Sequence, residues 1–164
     1  MNLHNEVLLP CDRQTVFDAL HDIDILQRSI PGCESLERVA ENELEATITV
    51  KFGPVKATFV SKVSLDGSGG PEKFLLSGSG DAGAMGSATG KADVTLSEQE
   101  QGAQTLLHYE VTIDVVGKLA QIGSRLMEGT TKKLARNFFS NFENALLGDD
   151  DGGQKKSENA SAPA

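Results

Sequence analysis

Three histidines, a group of aspartates and two cysteines are the residues of this 164-residue sequence whose types could support catalysis or metal binding. A histidine ring becomes a general base or a metal ligand when a second group is held within hydrogen-bond reach of it. His4, His21 and His108 fall in different elements, and spacing places no carboxylate beside any of them. Asp12, Asp18, Asp22 and Asp24 are dense enough to suggest a cation, but a calcium loop needs ligands at alternate positions, a central glycine and a final glutamate. That pattern is missing, and Asp12 and Asp22 are better placed to cap short helices by accepting first-turn amide hydrogens. Cys11 and Cys33 form no CxxC or zinc-like spacing and read as two reduced thiols. The segment GSGDAGAMGSATG (78–90) is glycine-rich like a phosphate loop. A nucleotide fingerprint, however, sets its glycines between a strand and a helix. Here strand-like alternation lies on both sides, so these glycines are expected to permit bulges or close approach to the backbone. The expectation is a chain with no catalytic set, no metal site and no intrinsic cofactor.

Charge narrows the partners. Of the formal net charge of −9, −2 falls on residues 148–164 and −7 on the body. Nucleic-acid binding needs a basic face, so an acidic body argues against it. Lys118, Arg125, Lys132 and Arg136 step by seven, seven and four residues and form a basic stripe on an expected helix, suited to docking a partner or lipid headgroups. The simpler reading of the stripe is an ordinary solvated helix face. The first residues lack the basic start and long apolar stretch of a signal peptide, and no run approaches the ~18 apolar residues of a spanning helix. The expected location is cytoplasmic.

These groups must be positioned by a strand-rich chain. Apolar residues alternate over 3–9, 44–51, 55–65, 91–96 and 107–115, and with short strand segments at 34–39 and 74–79 this predicts about seven strands, the alternating ones each with one wet and one buried face. Such strands form an antiparallel sheet. Two short helices are expected after the first strand, begun at Asp12 and Asp22 and ended at Pro31-Gly32. A single long amphipathic helix is predicted from Lys118 to Leu147, with Leu119, Ile122, Leu126, Leu134, Phe138 and Phe142 as its apolar stripe. Residues 1–147 read as one α+β domain, a curved sheet wrapped around the terminal helix. Residues 148–164 carry no apolar anchor and are expected to be a disordered polar tail. A sheet curled over one helix encloses a volume. The candidate cavity residues are Leu26, Phe59, Leu76, Met85, Tyr109, Val111, Ile122, Leu126, Thr130 and Phe138. The alternative for this interior is a dry, packed core.

The order of elements resembles the START-like, helix-grip superfamily, which includes polyketide cyclases and the birch pollen allergen. Within it, DIDILQRSIPGCESLE (22–37), FGPVKATFVSKVSL (52–65), GSGDAGAMGSATGKADVTL (78–96) and GKLAQIGSRLMEGTTKKLARNFFSNF (117–142) resemble the G-subunit family of carbon monoxide dehydrogenase. The resemblance implies a helix-grip fold with a hydrophobic cavity under the C-terminal helix. It implies an accessory protein of an aerobic carbon monoxide dehydrogenase or a related molybdenum hydroxylase, recruiting that enzyme to the inner face of the cytoplasmic membrane. It also implies carriage of a lipophilic electron acceptor such as a quinone. Two other readings stay open: a cyclase or hydrolase on the same fold, and a structural adaptor acting through the basic stripe.

Overall fold

The computed structural model describes residues 1–148. Seven strands form one open antiparallel sheet: β1 (Asn2–Leu9), β2 (Cys33–Ala40), β3 (Glu43–Phe52), β4 (Val55–Asp66), β5 (Lys73–Asp81), β6 (Ser87–Gln99) and β7 (Gln104–Val116). The spatial order is β1-β7-β6-β5-β4-β3-β2. Strands β2 to β7 therefore form a meander in which each strand pairs with the next, and β1 returns to the far edge beside β7. Helices α1 (Arg13–Ala19) and α2 (Ile23–Ser29) carry the chain from β1 at one edge to β2 at the other. The third helix, α3 (Ser124–Leu146), packs across the inner face of the sheet.

Local chemistry explains the short helices. The Asp12 carboxylate accepts from the Thr15 amide at 3.1 Å and from the Thr15 hydroxyl at 2.6 Å. Asp22 accepts from the Asp24 and Ile25 amides at 2.9 and 3.2 Å. Both predicted caps are present, and they satisfy amide hydrogens that the first turn leaves without carbonyl partners.

The predicted single helix from Lys118 to Leu147 is corrected. Gly117–Gln121 forms a 3-10 turn, and the α-helix starts only at Ser124. Gly123 breaks the run at φ 104° and ψ 140°, a conformation that costs other residues strain, and serves as the helix N-cap position. Leu119 is consequently fully buried from the turn, not from the helix.

The core forms three clusters along the inner face. One joins α1 and the end of α3 to the sheet through Leu9, Val16, Phe74, Leu96, Leu107 and Phe142. A second packs Leu26 of α2 on Leu36, Leu44, Ala46 and Leu65. A third sets Leu119 and Met127 on Val50, Phe52 and Ala57. Asn141 of α3 donates to the Ser29 carbonyl at 3.1 Å and ties α3 to α2. The sequence-based expectation for residues 149–164 lies outside the described residues.

Candidate functional site

Between α3 and the concave face of the sheet lies a cavity of about 520 Å³. Its existence follows from side-chain size. On the inner face of β5 and β6 the register sets Gly78 opposite Gly90, Gly80 opposite Ala88 and Leu76 opposite Ala92. Five of these six residues are glycine or alanine, so the middle of the sheet has almost no side-chain volume. Around this floor stand Phe59 and Val63 from β4, Val111 and Ile113 from β7, and Leu134 and Phe138 from α3. A cavity of this volume with an apolar lining falls in the range typical of small-molecule sites.

The structure distributes the ten candidate cavity residues unevenly. Phe59, Leu76, Val111 and Phe138 line the cavity. Leu26 does not: it is buried in the cluster under α2. Met85 sits in a 3-10 turn at Gly83–Met85, at the tip of the β5–β6 hairpin, and packs against the cluster around Leu119. Ile122 lies in the link before α3 and packs on the same cluster. Tyr109 points inward but stacks on Phe139 at 5.6 Å, where the end of α3 closes the sheet. Leu126 is 39% exposed, and Thr130 is absent from the lining. Helix geometry gives the reason for the last two. At about 100° per residue, an eight-residue step turns about 80° past two full turns, so Leu126 and Leu134 do not share a face. The cavity side of α3 is Met127, Thr131, Leu134, Ala135 and Phe138. Thr130 lies about a quarter-turn and Leu126 about a third-turn from its centre.

Several lining residues lie outside the ten candidates. Ile48, Val50, Val63, Ile113 and Val115 share the strand phase of the candidates that do line the cavity. The period-two alternation already carries that signal. Met127 and Thr131 lack one, because their face depends on where α3 begins.

Of the basic residues, Lys118 belongs to the 3-10 turn, whereas Arg125, Lys132 and Arg136 lie on α3. The four do not form one helical stripe, because the break at Gly123 separates Lys118 from the rest. Lys132 pairs with Glu128 at 3.2 Å. All four are exposed.

The remaining titratable candidates lie away from the cavity. The expectation that no carboxylate stands beside a histidine is corrected at His108: Nε2 is 3.2 Å from Glu110, which strand alternation puts on the same outer face, and Nδ1 is 3.6 Å from Glu6, which only the strand pairing reveals. Glu6 reaches it because β1 pairs with β7 in that register. His21 packs between Phe17 and Phe74, with Nδ1 2.8 Å from the Phe17 carbonyl. Burial pushes the thiols of Cys11 and Cys33 up from the usual range. Among the described residues no three His, Cys, Asp or Glu side chains gather as a metal site. No helix among them is long and apolar enough to cross a membrane.

An antiparallel sheet gripping a C-terminal helix over an apolar cavity is the START-like, helix-grip fold. Solved structures share that fold. A START superfamily protein from Mycobacterium smegmatis superposes with a TM-score of 0.68 at 8% identity, covering 90% of this chain and 97% of that one. The Zhui aromatase/cyclase from a Streptomyces species gives 0.65 at 10% identity, covering 90% and 93%. A conserved protein from Geobacillus kaustophilus gives 0.83 at 26% identity, covering 90% and 96%. No curated protein matches the chain in sequence. Residues 6–147 match the CoxG family, the G-subunit family of carbon monoxide dehydrogenase, and the chain belongs to that family.

Proposed function

We propose that this protein is a non-catalytic accessory component of an aerobic carbon monoxide dehydrogenase-type molybdenum hydroxylase. In this reading it holds a lipophilic molecule, a quinone, under α3 and delivers it as an electron acceptor or helps bring the enzyme to the cytoplasmic membrane. The observation that carries the reading is the 520 Å³ cavity with its glycine and alanine floor and aliphatic and aromatic walls. Family membership supports the dehydrogenase as partner. Arg125, Lys132 and Arg136 on α3, with Lys118 nearby, are the proposed docking residues for that enzyme or for anionic headgroups.

A cyclase or hydrolase on the same fold would need an acid and a base converging on its substrate. The lining contains no carboxylate and no imidazole. Its inward polar side chains are the hydroxyls of Ser61 and Thr131, and that chemistry favours binding over turnover.

The test is ligand-dependent stabilisation. Binding to the folded state alone raises stability by about 2.7 kcal/mol at a ligand concentration of 100 Kd. Menaquinone and ubiquinone are expected to raise Tm in a concentration-dependent manner. A Tm unmoved by quinones and by other lipophilic molecules would remove the carrier reading. Charge reversal of Lys118, Arg125, Lys132 and Arg136 to Glu is expected to abolish capture of the dehydrogenase and leave quinone binding intact.

A further inference from the structure

Ser61 lies on the inner phase of β4 between Phe59 and Val63, opposite Ala46 of β3 and Gly80 of β5. Other polar residues border the cavity but do not offer it a free hydroxyl. Ser79, Thr89 and Lys91 are exposed and belong to the outer phase of their strands. The Thr131 hydroxyl donates to the Met127 carbonyl at 2.8 Å. Among the described residues Ser61 thus presents the one inward hydroxyl at the cavity that has no hydrogen-bond partner. The Ser61 oxygen is half-buried and open to the cavity space, so a ligand oxygen placed there can take its hydrogen bond, whereas a hydrocarbon would cover it without replacing that bond.

The neighbouring strand keeps that hydroxyl bare. A Cβ at position 80 would stand 2.9 Å from Ser61 Oγ and 3.2 Å from the Phe59 ring. Any side chain there would displace or cover both groups. Gly80 therefore leaves an aromatic ring and a hydrogen-bond donor side by side at the cavity.

Resting on the carrier reading above, we infer that Ser61 is the specificity-determining residue of the cavity. It selects ligands whose flat ring carries a carbonyl or phenolic oxygen over hydrocarbons of the same shape. The ring lies on the floor formed by Gly78, Gly80 and Gly90, and Ser61 bonds its oxygen. A site holding a buried hydrogen-bonding group discriminates against an analogue that lacks the partner, because the group is then desolvated and unpaired.

Two shape-matched probes test this: menadione, which carries ring carbonyls, and 2-methylnaphthalene, which does not. Affinities for both are measured by NMR titration on the wild-type protein, Ser61→Ala and Gly80→Ala, with Tm as the check on folding. The ratio of the two affinities removes the difference in intrinsic hydrophobicity. That ratio is expected to fall roughly 3- to 10-fold in Ser61→Ala, the worth of one net hydrogen bond. Gly80→Ala is expected to lower it similarly, since its methyl group meets Ser61 Oγ, so either variant suffices if the other does not fold. An unchanged ratio with both probes still bound overturns the role of Ser61 and leaves the carrier reading standing. Binding of neither probe to the wild-type protein overturns both.

Discussion

Gly78 of β5 stands directly opposite Gly90 of β6 at the centre of the concave face. Two facing glycines remove two side chains from the sheet surface that faces α3 across the cavity. The helix can then rest on the surrounding Phe and Leu residues with space beneath it. Filling that space should separate binding from folding. A Cβ at position 90 would meet the Thr112 carbonyl at 3.3 Å, a tight contact, and Ile113 at 3.7 Å, an ordinary one, with no overlap under 3.0 Å. Gly90→Leu is expected to keep the β-sheet spectrum and to lower affinity for any cavity ligand at least about tenfold, a loss near 1.4 kcal/mol. Titration beside the wild-type protein checks it, and undiminished binding would place the ligand elsewhere.

The hairpin tip between β5 and β6 is fixed by backbone contact. Gly86 has φ 110°, and a Cβ there would fall 2.0 Å from the Val116 carbonyl oxygen. Strain from the dihedral alone is about 1–3 kcal/mol, and the overlap with backbone adds to it. Gly86→Ala should lose about 3 kcal/mol or more in urea unfolding. Gly83, at φ 60° with open space around it, is the control. Gly83→Asn should cost about 1 kcal/mol or less, because asparagine visits the left-handed region readily.

Phe142 is fully buried and stacks on Phe138 with centroids 5.7 Å apart. Phe142→Ala should destabilise by about 3–5 kcal/mol, the usual cost of a buried aromatic truncation. Leu126→Ala, at a residue 39% exposed that rests beside Gly53, should lose only about 1 kcal/mol. Equal losses at both positions would contradict the face assigned to α3, and urea midpoints decide.

The cap of α1 carries a pH signature. Hydrogen bonds from the Thr15 side chain, then from the Thr15 amide, hold the Asp12 carboxyl below the usual carboxylate range. A carboxylate with a folded value below its unfolded one stabilises fully above the unfolded value, and the benefit is lost as pH falls through the folded one. Asp12→Ala should therefore have a lower Tm than wild type at pH 7, with the gap closing under acid conditions. A gap that persists unchanged at pH 3 would assign the effect to something other than the ionised cap.

Burial and raised pKa values make Cys11 and Cys33 poor nucleophiles, since the thiolate is the reactive form. Both should react with a disulfide reagent at pH 8 well below the rate of the urea-unfolded chain. Rapid modification of either in the native protein would overturn this.

Much of the architecture is legible from the sequence because its signals are local. Alternation sets the strands and their inner phase, Asp12 and Asp22 announce α1 and α2, and the chemistry of a glycine-rich strand pair is readable in GSGDAGAMGSATG. Family membership is legible as well, in segments that span the fold. What the tertiary structure decided is non-local. The strand phase says that Tyr109 and Val111 both face inward; only the placement of Phe139 over Tyr109 leaves Val111 on the cavity and Tyr109 outside it. Periodicity runs from Leu119 through Phe142, yet the break at Gly123 resets the helix and gives the inner face to Met127 and Thr131 in place of Leu126 and Thr130. Ser61 is one small polar residue in an alternating strand until β5 sets Gly80 beside it. A sequence determines which way each side chain leaves its own element. Only the register of a neighbour and the seat of a distant helix determine whether that direction ends in packed side chains or in open volume.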